Sequence, residues 1–244
     1  MIPKVIHYCW FGRNPLPQLA VKCIESWKKF LPDYEIKEWN EDNFNVNMIP
    51  YTREAYKAKK YAFVSDYARF WILYNYGGLY FDTDVEILKS LDNIISNGGF
   101  MGCELAPDNR GKLVPFIAPG LGIGAEPNNI IYKEILDAYH KKHLFNFKGV
   151  IADTVVTIVT KILINKCKKL DLNNICRFDD IIIYPSEYFC PMTALSGEIN
   201  ITENTYSIHH YMASWVNKKG TSRYKRALKR LTYIYIRFIS SIFY

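Results

Sequence analysis

Two short hydrophobic segments at the start of the chain predict strands, and a helical pattern lies between them. Residues 4–11 (KVIHYCWF) are rich in β-branched and aromatic side chains, which is typical of a buried strand. Over residues 16–30 the apolar side chains recur every three or four positions, which predicts an amphipathic helix that Pro32 ends. Residues 34–39 (YEIKEW) alternate between apolar and polar positions and predict a second strand. This order favours an α/β fold with parallel first strands.

The following segments continue the alternation of helices and strands. Residues 52–76 contain no proline or glycine and predict one long helix, which Gly77 and Gly78 end. Residues 79–88 (LYFDTDVEIL) then predict a central strand. We also expect strands over 99–104, 180–185 and 205–211 and helices over 129–145 and 153–168.

The whole pattern predicts one α/β domain and a separate C-terminal segment. The 244 residues, 49% of them hydrophobic, suffice for one substantial core. No linker or repeat interrupts the chain before about residue 216, so we expect a domain over 1–217 and a tail over 218–244. We expect no signal peptide, and no apolar run reaches the ~18 residues that a spanning helix needs. Six cysteines without a CxxC pair are typical of reduced thiols, so we expect a cytoplasmic protein.

Positive charge is concentrated in the predicted tail. The chain has 31 basic and 24 acidic residues, a net charge of +7. Eight of these bases and no acid follow Glu203, so the rest of the chain is close to neutral. The tail joins this basic cluster to an aromatic and aliphatic end, which favours binding to an anionic membrane surface, at the inner face of the plasma membrane. Packing of the tail onto the domain is the alternative, and without a recognition motif we do not expect nucleic-acid binding.

Two aspartates in the predicted central strand are the first candidate site. Residues i and i+2 of a strand point to the same side, so Asp82 and Asp84 are expected to share one space near the strand's carboxyl end. In open α/β sheets, ligands bind at that end. Neighbouring carboxylates repel unless a cation lies between them, and hard oxygen ligands suit Mg²⁺ or Mn²⁺ shared with a phosphate. A solvated acidic turn is the alternative.

Three further groups of residues are candidates for ligand contacts. Asp66 and Arg69 are neighbours on one face of an otherwise apolar helix, where a charged pair needs partners. Trp10 follows the first strand and is either a core aromatic or a stacking platform for a base. His209 and His210 point to opposite faces if they lie on a strand, so at most one of them faces a metal.

Together these motifs resemble a known family. The stretches IPKVIHYCWFG, SDYARFWILYNYGGLYFDTDVEIL and HHYMASW are similar to the DXD-containing glycosyltransferases of family 32. These sugar-binding-region transferases are related to yeast Och1-type mannosyltransferases and to the catalytic domains of the large clostridial glucosylating toxins. The resemblance covers the first ~105 residues and the patch at 205–215. It implies a GT-A fold, with a Rossmann-like mixed sheet flanked by helices, and a retaining transfer from a nucleotide-sugar.

The resemblance also implies a role for individual residues. Trp10 would stack on uracil, which implies a UDP-sugar. Ser65, Asp66, Arg69 and Tyr80 would contact the ribose, donor sugar and phosphate, and Asp82 and Asp84 would hold Mn²⁺ or Mg²⁺ and the diphosphate. Ser214 and Trp215 would close over the leaving group, and His210 is the candidate third metal ligand. We expect Asp66, Arg69 and Asp84 to be catalytic, and the acceptor to be a saccharide or a lipid-linked saccharide, as in capsular polysaccharide synthesis.

Two other functions compete with this interpretation. The DTD stretch also fits the strand motif of haloacid-dehalogenase-like phosphohydrolases, with Asp82 as nucleophile and Asp179-Asp180 as the acidic pair. That motif usually lies near the N-terminus, and it gives no role to the SDYAR helix. A non-catalytic sugar-binding protein is the second alternative, and the intact pair of aspartates argues against it.

Overall fold

The first strand, β1 (Val5–Cys9), lies between two parallel neighbours, β2 (Glu35–Trp39) and β3 (Gly78–Tyr80). The computed structural model describes residues 1–108, 111–146, 149, 151, 153–167, 170–193 and 197–212. Both crossovers from one parallel strand to the next contain helices, as the strand–helix–strand pattern predicts.

The other half of the sheet makes it a mixed one. An unpredicted short strand, β7 (Ile123–Ala125), runs antiparallel between β3 and β5 (Gly99–Pro107). Strand β9 (Ile181–Tyr184) is parallel to β5, and the order across the sheet is β2-β1-β3-β7-β5-β9-β8. Its remaining members, which the sequence pattern did not indicate, are antiparallel: β6 (Leu113–Ile117) on β5 and β8 (Cys176–Phe178) on β9.

Helices cover both faces of this sheet. Alternate residues of β9 show the division, since Ile181 and Ile183 join one apolar core while Ile182 and Tyr184 join the other. The described helices are α1 (Gln18–Phe30), α2 (Pro50–Lys57), α3 (Tyr61–Tyr76), α4 (Asp92–Ile95), α5 (Ile130–His140), α6 (Val155–Lys166) and α7 (Ser186–Phe189). Helices α3, α5 and α6 pack in the first core and α1 and α7 in the second. The predicted α/β class with a Rossmann-like mixed sheet is confirmed.

The predicted helix over 52–76 is two helices. Helix α2 ends with Lys59 in the left-handed region (φ 55°), where the N–H of Lys60 donates to the carbonyl of Ala55 and that of Lys59 to Tyr56. This is the hydrogen-bond pattern that usually carries glycine at its left-handed position. Because lysine occupies that position here, the sequence contains no glycine to mark the end of the helix, and the predicted helix continues past residue 59.

The predicted strand over 79–88 is also interrupted. It consists of β3 and a second strand, β4 (Val85–Ile87), which leaves the main sheet and pairs antiparallel with β10 (Ser207–His209). Between β3 and β4 the chain turns, and Asp82 and Asp84 lie in that turn. Strand alternation is therefore not what brings the two carboxylates together.

The C-terminal tail lies outside the described residues, which end at residue 212. Both the boundary at 217 and the predicted tail over 218–244 thus stay predictions. Within the described part, the helices are too short or too polar to cross a bilayer.

Candidate active site

The turn between β3 and β4 is held in place from two directions. The backbone N–H of Asp82 donates to the carbonyl of Gly120 at 3.0 Å. The carboxylate of Asp84 accepts a hydrogen bond from the backbone N–H of Met212 at 2.7 Å. The backbone carbonyl of Asp84 accepts one from the backbone N–H of His210 at 2.9 Å. The segment that follows β10 is therefore anchored on the turn, and both carboxylates face the same space.

Arg69 joins helix α3 to this turn. Its Nη2 lies 3.0 Å from Oδ1 of Asp66 and 3.2 Å from Oδ1 of Asp82, and its Nε donates to the carbonyl of Ser65. The guanidinium also lies over the ring of Tyr80, with Cζ 4.9 Å from the ring centroid, and the Tyr80 hydroxyl donates to Asp82. Arg69 is only 3% exposed, so one buried cation contacts the carboxylates of both Asp66 and Asp82.

The electrostatic environment favours an additional positive charge. Burial raises the pKa of Asp66 to about 7, although Arg69 acts in the opposite direction. Burial also raises the pKa of Asp82, against the effect of Arg69 and with a contribution from the negative charge of Asp84. With His209 neutral, the ionised carboxylates of Asp66, Asp82 and Asp84 and the guanidinium of Arg69 leave two negative charges, which a divalent cation would balance.

His209, not His210, completes the acidic site. Nε2 of His209 lies 3.3 Å from Oδ1 of Asp84, whereas Nε2 of His210 lies 2.8 Å from Oε2 of Glu86 on the other face of the strand. The prediction of His210 as the third ligand therefore needs correction. The antiparallel register, which pairs His209 with Val85, decides which histidine faces the turn, and residue type alone does not reveal that register.

Asp84 and His209 form a charged pair. Burial acts to raise the pKa of Asp84, but its contacts with His209 and the Met212 N–H outweigh burial and lower it. Burial acts to lower the pKa of His209, and the Asp84 carboxylate outweighs it and holds that pKa well above the usual value.

The donor atoms fit a divalent cation. One carboxylate oxygen each of Asp82 and Asp84 and a ring nitrogen of His209 all lie within 4.8 Å of one another. Two hard oxygen ligands and one imidazole suit Mn²⁺, and Mg²⁺ if water replaces the imidazole. On binding, the cation would take the place of the proton on His209.

A cleft opens from this site toward Trp10. The indole is partly buried in the cleft wall, where its Nε1 donates to the carbonyl of Asn14 at 2.6 Å and fixes the ring. Ser65 also lines the cleft, but its hydroxyl contacts the backbone carbonyl of Tyr61 within α3. Trp10, Ser65, Asp66, Arg69, Asp82 and Asp84 thus line one space, whereas Tyr80 lies beneath Arg69. Ser214 and Trp215 lie outside the described residues.

Several cleft residues were missed by sequence reasoning. Gly120 lies so close to Asp82 that a Cβ there would overlap Oδ2 of the carboxylate. Lys59 lines the cleft from the left-handed turn between α2 and α3, and residues 154–156 line it from the start of α6. Glu104 enters the same space from β5. No sequence motif surrounds Lys59 or Glu104, so the sequence does not distinguish them from other charged residues.

The structure does not assemble the phosphohydrolase arrangement. Asp82 follows β3, and Asp179-Asp180 precede β9, a strand that runs in the same direction as β3. The aspartates therefore lie at opposite ends of the sheet, and the carboxylate of Asp180 accepts a hydrogen bond from Asn129. A nucleophile at Asp82 would lack the acidic pair.

Comparisons with known proteins bear on the identity of this site. The family model described as glycosyltransferase sugar-binding region containing DXD motif matches residues 17–101, which include α3 and the DTD turn. Inositol phosphoceramide mannosyltransferase 3 of Schizosaccharomyces pombe is 34% identical over 98 residues, which cover 38% of this chain and 27% of that protein. The chain thus spans about a quarter of the length of this curated relative.

A second relative matches over most of its length. The uncharacterized glycosyltransferase L373 of Acanthamoeba polyphaga mimivirus is 28% identical over 226 residues, or 88% of this chain and 84% of that protein. Among solved structures, the PaToxG glycosyltransferase superposes with a TM-score of 0.52 at 20% identity, over 70% of this chain and 72% of that one. These matches confirm the predicted fold, and they also confirm the resemblance that the motifs indicate.

Proposed function

We propose that this chain belongs to the glycosyltransferases whose sugar-binding region contains the DXD motif, and that it transfers a sugar from a nucleotide-sugar to a saccharide acceptor. The observation that carries the proposal is the convergence of Asp82, Asp84, His209 and Arg69 in one cleft that begins at Trp10. A cleft of this kind offers a cation site, a buried guanidinium and an aromatic surface, which match the diphosphate, the sugar and the base of such a donor.

The site is suited to stabilise a departing diphosphate. We propose that Asp82, Asp84 and His209 hold Mn²⁺ or Mg²⁺, which as a Lewis acid neutralises charge that develops when the sugar–phosphate bond breaks. Asp66 and Arg69 would bind sugar hydroxyls and phosphate oxygens, because both are fixed at the cleft by their mutual ion pair. Ser214 and Trp215, for which the sequence resemblance implies this role, would close over the leaving group.

The proposed reaction retains the anomeric configuration. The acceptor oxygen would bond to the anomeric carbon on the face from which the diphosphate leaves, and the acceptor's proton would pass to the departing phosphate oxygen. The sequence resemblance supports this stereochemistry. Analysis of the product anomer by NMR tests it, and an inverted product would contradict it.

UDP is the nucleotide that we propose, on the basis of Trp10. Replacement of Trp10 by Ala should weaken UDP binding by ~1–3 kcal/mol in calorimetry, the range for loss of one base–aromatic stack. Trp10→Phe keeps an aromatic face and should retain most of the affinity. GDP that binds more tightly than UDP would overturn the base assignment, and the mannosyltransferase names of several relatives make GDP-mannose the necessary comparison.

The acceptor and the location of the protein are also proposals. The names of three relatives contain inositol phosphoceramide, and this supports a saccharide or lipid-linked saccharide as the acceptor of this chain. The basic tail over 218–244 would hold a cytoplasmic enzyme at an anionic membrane surface. Removal of residues 218–244 should abolish sedimentation with anionic liposomes, and unaltered sedimentation would contradict the proposal.

A matched pair of variants tests the function itself. Hydrolysis of a panel of nucleotide-sugars in the presence of Mn²⁺ should release nucleotide, and Asp84→Asn should lower that rate by at least ~10²-fold, the usual effect of losing one electrostatic contact to a leaving group. Glu86→Gln is the control, because Glu86 lies two residues away but contacts His210 and Lys22 outside the cleft. The proposal fails if Asp84→Asn turns over at the wild-type rate, and binding of donors without any turnover would indicate a sugar-binding protein.

A further inference from the structure

A second group of potential metal ligands lies beside the DXD pair, and it differs from that pair in chemistry. We propose that Glu104, Cys190 and His209 form a zinc site that shares His209 with the acidic site. Nothing in the DXD resemblance predicts it, and it does not depend on the proposed transfer.

The three ligand atoms are already close together. A carboxylate oxygen of Glu104, Sγ of Cys190 and a ring nitrogen of His209 lie within 4.8 Å of one another. Zinc holds sulfur at about 2.3 Å and nitrogen or oxygen at about 2.0–2.2 Å, so tetrahedral ligand atoms are about 3.3–3.8 Å apart. Changes of up to about 1.5 Å in the distances between these atoms would therefore close the site. Glu104 and Cys190 are 6% and 4% exposed, so the ligands come from a packed part of the fold.

The orientation of His209 supports this site. Its Nε2 faces Asp84 at 3.3 Å, and its Nδ1 is buried with no oxygen or nitrogen partner among the residues that the structure describes. The ring also interacts with the thiol of Cys190. Histidines that bind metals through one ring nitrogen usually donate the N–H of the other to a carboxylate. Asp84 supplies that carboxylate, and Nδ1 is left as the ligand atom for zinc.

Tyr211 contacts the other two ligands, Cys190 and Glu104, and holds them next to each other. Its hydroxyl lies 3.0 Å from Sγ of Cys190 and donates to Oε2 of Glu104 at 3.1 Å. Tyr211 adopts a left-handed backbone conformation (φ 45°), which is costly for an aromatic residue and is typical of functional positions. The hydroxyl thus bridges the thiol and the carboxylate in the state without metal.

The ligand chemistry separates the two sites. A thiolate, an imidazole and a carboxylate favour Zn²⁺, while the two aspartates favour Mg²⁺ or Mn²⁺. Glu104, His209 and Tyr211 line the cleft, so the fourth position of the zinc would face it. Because both sites use His209, zinc in one changes the affinity of the other, and the effect is reciprocal.

Zinc titration against a chromogenic chelator, with the full-length protein stripped of metal, tests the proposal. Cys190→Ser should weaken zinc binding by at least 100-fold, while Cys176→Ser, a thiol on β8 away from the cleft, should leave it unchanged. Asp82→Asn should alter it less than 10-fold. Zinc affinity that falls in Asp82→Asn but not in Cys190→Ser would place the ion on the aspartate pair and overturn the proposal.

X-ray absorption at the zinc edge of the wild-type protein gives an answer that needs no variant. The expected shell contains one sulfur at about 2.3 Å and lighter ligands near 2.0 Å. A shell without sulfur would overturn the proposal even if Cys190→Ser fails to fold. If zinc binds as proposed, added zinc should also shift the Mn²⁺ titration of the wild type but not that of Cys190→Ser.

Discussion

Arg69 and Asp82 lie 3.2 Å apart, and this contact connects the largely buried helix α3 to the turn that carries the candidate metal ligands. The same guanidinium contacts Asp66 at 3.0 Å. The two carboxylates therefore share one buried cation, and this residue matters both for the stability of the fold and for the candidate ligand site.

Loss of Arg69 should destabilise the protein, and loss of its partner Asp66 in the same variant should reduce that effect. Arg69→Met leaves Asp66 and Asp82 without their cation, and breaking a buried pair in this way typically costs ~3–5 kcal/mol. Urea denaturation of the metal-free protein measures it. Asp66→Asn introduced together with Arg69→Met should recover part of the loss, since one uncompensated carboxylate is removed. If Arg69→Met lowers the free energy of unfolding by less than ~1 kcal/mol, the usual value of a surface ion pair, the contacts of Arg69 with the two aspartates are not structurally important.

Gly120 should be required for the position of Asp82. An alanine Cβ at this residue would overlap Oδ2 of the carboxylate and approach Nη1 of Arg69 to 3.2 Å. We expect Gly120→Ala to lower Mn²⁺-dependent donor hydrolysis by at least ~10²-fold, the scale of one lost electrostatic contact. The protein should remain folded, because Asp82 can turn toward the open cleft.

A second glycine provides the control for this steric argument. A Cβ added at Gly111 would meet no atom of the described residues within 4 Å, although the φ of 79° makes alanine somewhat strained there. Gly111→Ala should keep its activity. Equal activity of Gly120→Ala and the wild type would show that Asp82 does not need its present position.

The parts of the fold that were predicted correctly rest on local patterns. The helix at 16–30 and the strand at 34–39 have a clear period, the strand at 4–11 is rich in β-branched and aromatic side chains, and all three are present as α1, β2 and β1. Strand β7 was missed because it is short and its middle residue is glycine, which gives no alternation. Only its neighbours β3 and β5 make it a strand.

The candidate site shows the same limit. Asp66, Arg69, Asp82 and Asp84 were identified from spacing and do line one cleft, although the reason given for the aspartates was wrong, because a turn and not a strand carries them. The histidine could not be chosen without the register of β10 on β4. Gly120 and Glu104 are far from the motifs in sequence, and only the tertiary fold brings them to the cleft.

Lys59 should lower the stability of the fold slightly and strengthen nucleotide binding. Its left-handed conformation is one that glycine adopts without the steric cost of a Cβ, which is about 1 kcal/mol. Lys59→Gly should therefore raise the melting temperature slightly and weaken nucleotide binding, because a cation that lines the cleft is lost. Lys57→Ala removes a similar charge from the exposed end of α2 and should change neither property by much. Nucleotide affinity that is unchanged in Lys59→Gly would show that this lysine has no contact with the ligand.

The last prediction concerns Asp66 and pH. Its pKa is raised from 3.8 to about 7 in the folded protein, chiefly by burial, so between these values the folded state retains a proton that the unfolded state has lost. Its contribution to the free energy of unfolding is therefore greatest at low pH, falls as pH rises from about 4 to about 7, and is constant above that. The full change corresponds to roughly 4 kcal/mol. Asp66→Asn cannot titrate, so the difference in stability between wild type and variant, measured without metal or nucleotide, should shift against the wild type across this range. A difference that is independent of pH between 4 and 8 would show that the Asp66 carboxylate stays ionised in the folded protein, and that Arg69 and the Val155 backbone compensate for its burial.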